Sequence, residues 1–313
     1  MKIAPIVLFV YNRPFHTERV IQALQKNFLA SESDLYVFAD GAKENESPDS
    51  VTRIHEVRKL INKIHGFNSV TVYESKINQG LSVSITAGIN RVLENHDRII
   101  VFEDDIIAHP NFLSFCNQAL DIYEADENVF AISGYSFPLK GKLSSTYFLR
   151  TGAVWGWGTW KRSWKYFTMD SGRLLLEIES TGRKSEFDFN DNYPFYELLK
   201  KHHEGKVSSW DVCWYATIFL KNGLTLYPGK SLTENIGMDG TGTHYSKSQS
   251  NGNTGKNRRA TWTEEKSAIQ FTHNIQVDPI AQKKLMNYFN SQDKPNLFSR
   301  FRSKLKQKIF ISQ

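Results

Sequence analysis

Cysteine is scarce in this chain, and its scarcity excludes a class of folds. Two cysteines in 313 residues, Cys116 and Cys213, both fall in apolar surroundings. They give neither the spacing of a disulfide framework nor a Cys/His zinc site, and buried free thiols in a reducing cytoplasm are the expectation. Long apolar runs are missing too. No segment offers 18 consecutive apolar residues, so no transmembrane helix is expected. Met1-Lys2 leads directly into a strand-like run without a signal-peptide pattern. No G-x-G-x-x-G and no G-x-x-x-x-G-K-[ST] follows any predicted strand, which removes the dinucleotide fingerprint and the Walker loop. Basic charge is absent as a general surface property. The net charge of +6 equals the six basic residues of 294–313 (Lys294, Arg300, Arg302, Lys304, Lys306, Lys308), a stretch without acids. A uniformly basic nucleic-acid-binding face is therefore not expected.

What remains is ordinary globular composition, 40% hydrophobic and 23% charged, in a length that suits one large α/β domain with additions or two small domains. Strand-like and helix-like segments alternate four times in the first hundred residues. Ile3 to Tyr11 is a predicted central strand, and Pro14 opens a helix to about Lys26. Leu35 to Ala39, Ser69 to Tyr73 and Arg98 to Phe102 are predicted strands, separated by helices over 48–64 and 81–93. This alternation predicts a doubly wound, mainly parallel sheet flanked by helices. A helix is expected from Pro110 to about Ala125, then a strand over Val129 to Ser133, charged helices within 172–206, and a buried apolar helix from Trp210 to Leu220. Residues 240–260, rich in Gly, Ser, Asn and Lys, predict a mobile loop.

The chemistry-bearing residues stand at the strand ends: Asn12-Arg13, Asp40-Gly41, Asn78-Gln79-Gly80 and Glu103-Asp104-Asp105. Parallel strands bring their carboxyl ends to one edge, where open α/β sheets bind ligands. Carboxylates at such an edge suit Mg²⁺ or Mn²⁺, which in turn hold substrate phosphates. An arginine suits a diphosphate through paired, charge-assisted bonds. Each motif also has a plainer structural reading. Glu103-Asp104-Asp105 and Asn12-Arg13 can cap helices, and Asp40-Gly41 can be a tight turn.

Taken in order, these residues resemble the nucleotide-sugar-dependent glycosyltransferases of the GT-A fold, most closely the N-acetylglucosaminyltransferase I type. The likeness is carried by Val10-Tyr11-Asn12-Arg13-Pro14, by Asp40 and by Glu103-Asp104-Asp105, and it is strongest over 1–135. It implies a Rossmann-like GT-A fold. Asn12, Arg13, Asp40, Asn78, Gly80, Glu103 and Asp104 would bind the nucleotide-sugar, with Asp40 recognising uracil. Asp105 would ligate Mn²⁺ or Mg²⁺. The segment from Gly152 to Trp160 resembles the family's Gly/Trp stretch, making Trp155 and Trp157, with Trp210, a sugar and acceptor platform; the alternative is core aromatics. Ser209 to Trp214 resembles the segment bearing the catalytic base, where Val212 replaces the second acid of the expected Trp-Asp-Asp-Trp run. Asp211 is then the base, or else a helix cap. Asn235 to His244 resembles the late Gly-rich loop, in which His244 would be a second metal ligand or an ordinary loop histidine.

The implied organisation is a transferase domain over 1–245 with a nucleotide-binding half (1–135) and a catalytic half (136–245). A loop and extension (246–293) and a basic tail (294–313) follow. The implied activity is inverting transfer of GlcNAc or another hexose from a UDP-sugar to a glycan or lipid-linked acceptor. A sugar nucleotidyltransferase and a non-catalytic carbohydrate-binding module are the rivals. In the tail, Leu297, Phe301, Leu305 and Ile309 share one helical face among basic residues. That pattern predicts a helix lying on an anionic membrane surface, at its cytoplasmic side, or one packed on protein.

Overall fold

The computed structural model describes residues 1–152, 154–237 and 269–292. Its centre is a sheet built outward from β1 (Ile6–Val10), a strand buried along its whole length. A strand covered on both faces needs apolar side chains at every position rather than alternation, and IVLFV supplies them. Ile6, Leu8 and Val10 enter one core cluster, while Val7 and Phe9 enter another on the opposite face.

The chain leaves β1 through α1 (Pro14–Gln25), whose first position is the proline that suits a helix start. It returns as β2 (Asp34–Ala39), parallel to β1, with Ile6 opposite Leu35. Next comes α2 (Pro48–Ile61), where Ser47 Oγ caps the first turn by accepting from the Ser50 amide at 3.2 Å. Then β3 (Ser69–Glu74) forms the outer edge, α3 (Leu81–Leu93) crosses back, and β4 (Arg98–Glu103) pairs parallel to β1 on its other side. Helices α1 and α2 pack on one face and α3 on the other.

After β4 come β5 (Ile106–Ala108), α4 (Phe112–Ile122), β6 (Val129–Ser133), β7 (Thr146–Leu149) and β8 (Trp157–Trp160). Then follow α5 (Lys161–Trp164), α6 (Ser171–Ser180), α7 (Lys184–Phe187), α8 (Phe195–His203), α9 (Trp210–Leu220), β9 (Leu224–Pro228), β10 (Thr233–Asn235) and α10 (Pro279–Gln292). The large sheet runs β3-β2-β1-β4-β8-β6-β9-β7, and β5 with β10 forms a separate two-stranded ribbon. The parallel alternation ends at β4. Strand β8 runs against both of its neighbours, so the second half of the sheet is mixed. The fold is α/β, a large sheet flanked by helices, the class the alternation predicts.

The extension expected after 245 is not separate from the body where it is described. The Tyr123 hydroxyl donates to the Thr272 carbonyl at 2.6 Å, and the Asp278 amide donates to the Phe148 carbonyl at 2.9 Å. Ala281, Leu285 and Phe289 of α10 are buried among the side chains of α6, α8 and α9. Residues 269–292 thus contribute to the core of the second half. His244, the whole of 240–260 and the 294–313 tail lie outside the described residues. Among the described residues no helix is long and apolar enough to cross a membrane.

Candidate active site

Strand β1 is followed in space by β2 on one side and β4 on the other, so the chain's winding reverses between β1 and β4. Such a reversal opens a crevice at the carboxyl ends of the strands. Arg13 enters it from the end of β1, at the N-cap position of α1, and Glu103, Asp104 and Asp105 enter from the end of β4. The Arg13 Nη2 donates to Asp104, and to Asp105 Oδ2 at 3.0 Å. Burial works against the Arg13 charge, but the Asp104 and Asp105 carboxylates outweigh it and raise the guanidinium's pKa. Asp104 is 4% exposed. Burial raises its carboxyl above the usual range, with Arg13 pulling the other way and Asp105 adding to the rise. Glu103 is pushed well up by burial first, then by the charges of Asp105, Asp104 and Asp211.

Asp211 thus lies within electrostatic reach of Glu103, although the two are far apart in sequence. It sits in the first turn of α9, and the Ser209 hydroxyl donates to its Oδ1. The adjacent Trp210 turns inward. It is buried and stacks on Trp157, centroids 5.8 Å apart. Trp157 is buried in β8 against Trp164 and Trp214. The expected three-tryptophan platform is corrected accordingly. Trp157 and Trp210 are core aromatics that brace the start of α9, and of the three only Trp155 keeps a partly exposed ring, edge-on to Tyr135 at 4.6 Å.

The β5–β10 ribbon closes the crevice from a third side. Asn235 pairs with Ile106, and the Ile236 amide donates to the Asp105 carbonyl at 2.9 Å. Gly237 is then so close that a Cβ on it would lie 2.1 Å from Asp105 Oδ2 and 3.0 Å from Arg13 Nη1. Sequence reasoning placed Gly237 in a loop and gave it no contact with the acids; a three-residue strand carries too little pattern to reveal the pairing. Among the described residues, the buried Arg13 Nη1 has no hydrogen-bond partner. A buried, unpaired N–H is costly, and an anionic ligand would satisfy it.

The remaining strand-end residues gather beside this crevice. Asn12 Nδ2 donates to Ser50 Oγ at 2.7 Å, and the Tyr11 hydroxyl donates to Glu46, which holds the Glu46 carboxyl below its usual range. Asp40 faces Asn78, Gln79 and Gly80 and accepts from all three. A cleft of about 780 Å³ runs between α3 and strands β2 and β3, lined by Phe38, Asp40, Tyr73, Ser75, Gln79 and Arg91 among others. It adjoins the crevice at Asp40 but does not include Arg13, Asp105 or Asp211.

The acids suit a hard cation in chemistry but not as a self-standing cage. Among the described residues no group of three or more His, Cys, Asp and Glu is arranged to hold a metal ion. Asp104 and Asp105 already share the Arg13 guanidinium. Magnesium-type sites commonly take one or two carboxylates and complete their shell with substrate phosphates and water. The donor set fits a cation of that kind, brought in with a diphosphate.

No family model matches the sequence. Among solved structures, the chain is similar to TarS 1–349 of S. aureus, with a TM-score of 0.40 and 14% identity over 75% of this chain and 61% of that one. It is similar to an active-site mutant of LgtC, with a TM-score of 0.36 and 9% identity over 68% and 70% of the two chains. It is also similar to an apo UDP-glucose pyrophosphorylase, with a TM-score of 0.34 and 11% identity over 74% and 93%. The chain thus spans about three fifths of the TarS fragment's length.

Proposed function

We propose that this protein is a glycosyltransferase that moves a hexose, GlcNAc or a close relative, from a UDP-sugar to a glycan or lipid-linked acceptor. The observation that supports it is the meeting of Arg13, Asp104 and Asp105 in one crevice, with Asp211 within electrostatic reach of the neighbouring Glu103. The buried Arg13 Nη1, without a partner among the described residues, gives that crevice a donor for a diphosphate. In this reading Arg13 holds the diphosphate, and Trp155, partly exposed, faces the sugar. Asp211 accepts the acceptor's hydroxyl proton. The acceptor oxygen bonds to the anomeric carbon as the bond from that carbon to the phosphate oxygen breaks, and UDP leaves. A Mn²⁺ or Mg²⁺ ion at Asp105, with Asp104 beside it, would neutralise the leaving diphosphate.

The test is release of UDP from a panel of UDP-sugars with candidate acceptors, with and without chelator. Transfer that stops in chelator supports the reading. Formation of UDP-sugar and pyrophosphate from UTP and a sugar phosphate would replace it with nucleotidyl transfer. No turnover of either kind would refute it.

A further inference from the structure

The carboxylate of Asp40 has no capacity left for a ligand. Its Oδ1 accepts from the Gly41 amide at 2.8 Å and the Gln79 amide at 2.9 Å. Its Oδ2 accepts from Asn78 Nδ2 at 3.1 Å and the Gly80 amide at 2.9 Å. An ionised carboxylate offers about four lone-pair sites, and all are used. Each of the four donors belongs to the strand end or the turn it faces. Asn78 Nδ2 also reaches the Gly41 carbonyl at 2.9 Å, and the Ser75 amide donates to the Ala39 carbonyl at 2.9 Å. The two segments touch so closely that a Cβ on Gly41 would lie 2.4 Å from the Ile77 carbonyl carbon. Gly80 has φ +78, a left-handed conformation that favours glycine, and it is the N-cap of α3 without any side-chain cap of its own. Asp40, 8% exposed, therefore supplies the acceptors that this turn and the start of α3 lack.

We propose that Asp40 is a positioning residue, which staples residues 78–80 to the end of β2 and so shapes the wall between the crevice and the cleft beneath α3, and that it does not read the nucleobase. The inference deepens the donor reading above and rests on it only for its nucleotide arm. A residue that reads uracil makes affinity depend on the base. A residue that shapes the turn changes affinity for every base alike.

Hydrogen exchange at the Gln79 and Gly80 amides tests the staple directly. Asp40→Asn turns one acceptor oxygen into a donor facing other donors, so at least one of the two amides should exchange about tenfold faster or more. Asn78→Ala removes one donor and keeps the carboxylate, so a smaller acceleration is expected. Calorimetry with UDP and CDP on the same proteins supplies the second readout. Both nucleotides should weaken together, with the UDP-to-CDP ratio within about twofold of that of the unaltered protein. Loss of UDP affinity with CDP affinity kept or improved would overturn the proposal, as would unchanged exchange at both amides. If Asp40→Asn does not fold, Asn78→Ala carries both measurements with the same criteria. If the unaltered protein binds neither nucleotide, the donor reading falls and the exchange result alone decides the role of Asp40.

Discussion

Replacing Arg13 with glutamine should destabilise the protein in a way that depends on pH, and the structure gives both size and sign. The Arg13 guanidinium is the countercharge of Asp104 and Asp105, whose side chains are 6% and 16% exposed. Removing one partner of a buried ion pair costs about 3–5 kcal/mol, because the other is left charged and desolvated. That is a large part of a typical total of about 5–15 kcal/mol. The sign follows from Asp104, whose carboxyl already titrates above its usual range because burial outweighs Arg13. A group raised in the folded state favours folding while protonated, and that contribution is lost as pH rises through its folded pKa. Without Arg13 the folded pKa rises further. The deficit of Arg13→Gln should therefore be small near pH 4, about the unfolded carboxyl value, and grow towards neutrality. Urea unfolding of both proteins at pH 5 and pH 8 measures it, since stability falls linearly with denaturant. A deficit equal at the two pH values, one that grows on acidification, or one below about 1 kcal/mol at pH 8 would refute the assignment of Arg13 as the countercharge.

Asp211→Asn is nearly isosteric but cannot take a proton, so it should lower the chemical rate by about 10²–10⁴ while donor binding by calorimetry is preserved; wild-type turnover would move the base elsewhere. Gly237→Ala puts a Cβ 2.1 Å from Asp105 Oδ2 and must displace it. Misplacement near 1 Å can cost about 10²-fold in rate, so turnover should fall while the urea midpoint changes little, and unchanged turnover would count against the contact. Deleting residues 294–313 should abolish co-sedimentation with anionic vesicles and spare activity on a soluble acceptor; co-sedimentation that survives the deletion would refute a membrane role for the tail.

The first half of the fold was legible because its elements are long and bounded by strong local signals. Leu81–Leu93 and Val129–Ser133 match their expected limits, and Pro14 and Pro48 begin helices. The three-residue strands β5 and β10 were missed because too few residues carry a period, yet their pairing brings Gly237 to the acids. The tryptophan cluster misled for a different reason. The platform rested on resemblance to a Gly/Trp stretch, whereas Gly158 packs so tightly that a Cβ would meet Cys116 Sγ at 2.7 Å. Close packing and an open platform leave the same mark on a sequence. Asp40 shows the same limit, since Asn78, Gln79 and Gly80 meet its carboxylate only after β3 is aligned beside β2.

The ends of the segment 238–268 are fixed independently of its contents. On one side the Gly237 amide donates to Asn235 Oδ1 at 2.8 Å, next to the ribbon. On the other the Gln270 amide donates to Ser145 Oγ at 2.9 Å, and Thr146 Oγ1 donates to the Gln270 carbonyl at 3.0 Å. Each anchor is a contact between described residues, so Gly237 keeps its place against Asp105, and Gln270 its place on β7, through partners that lie within the body.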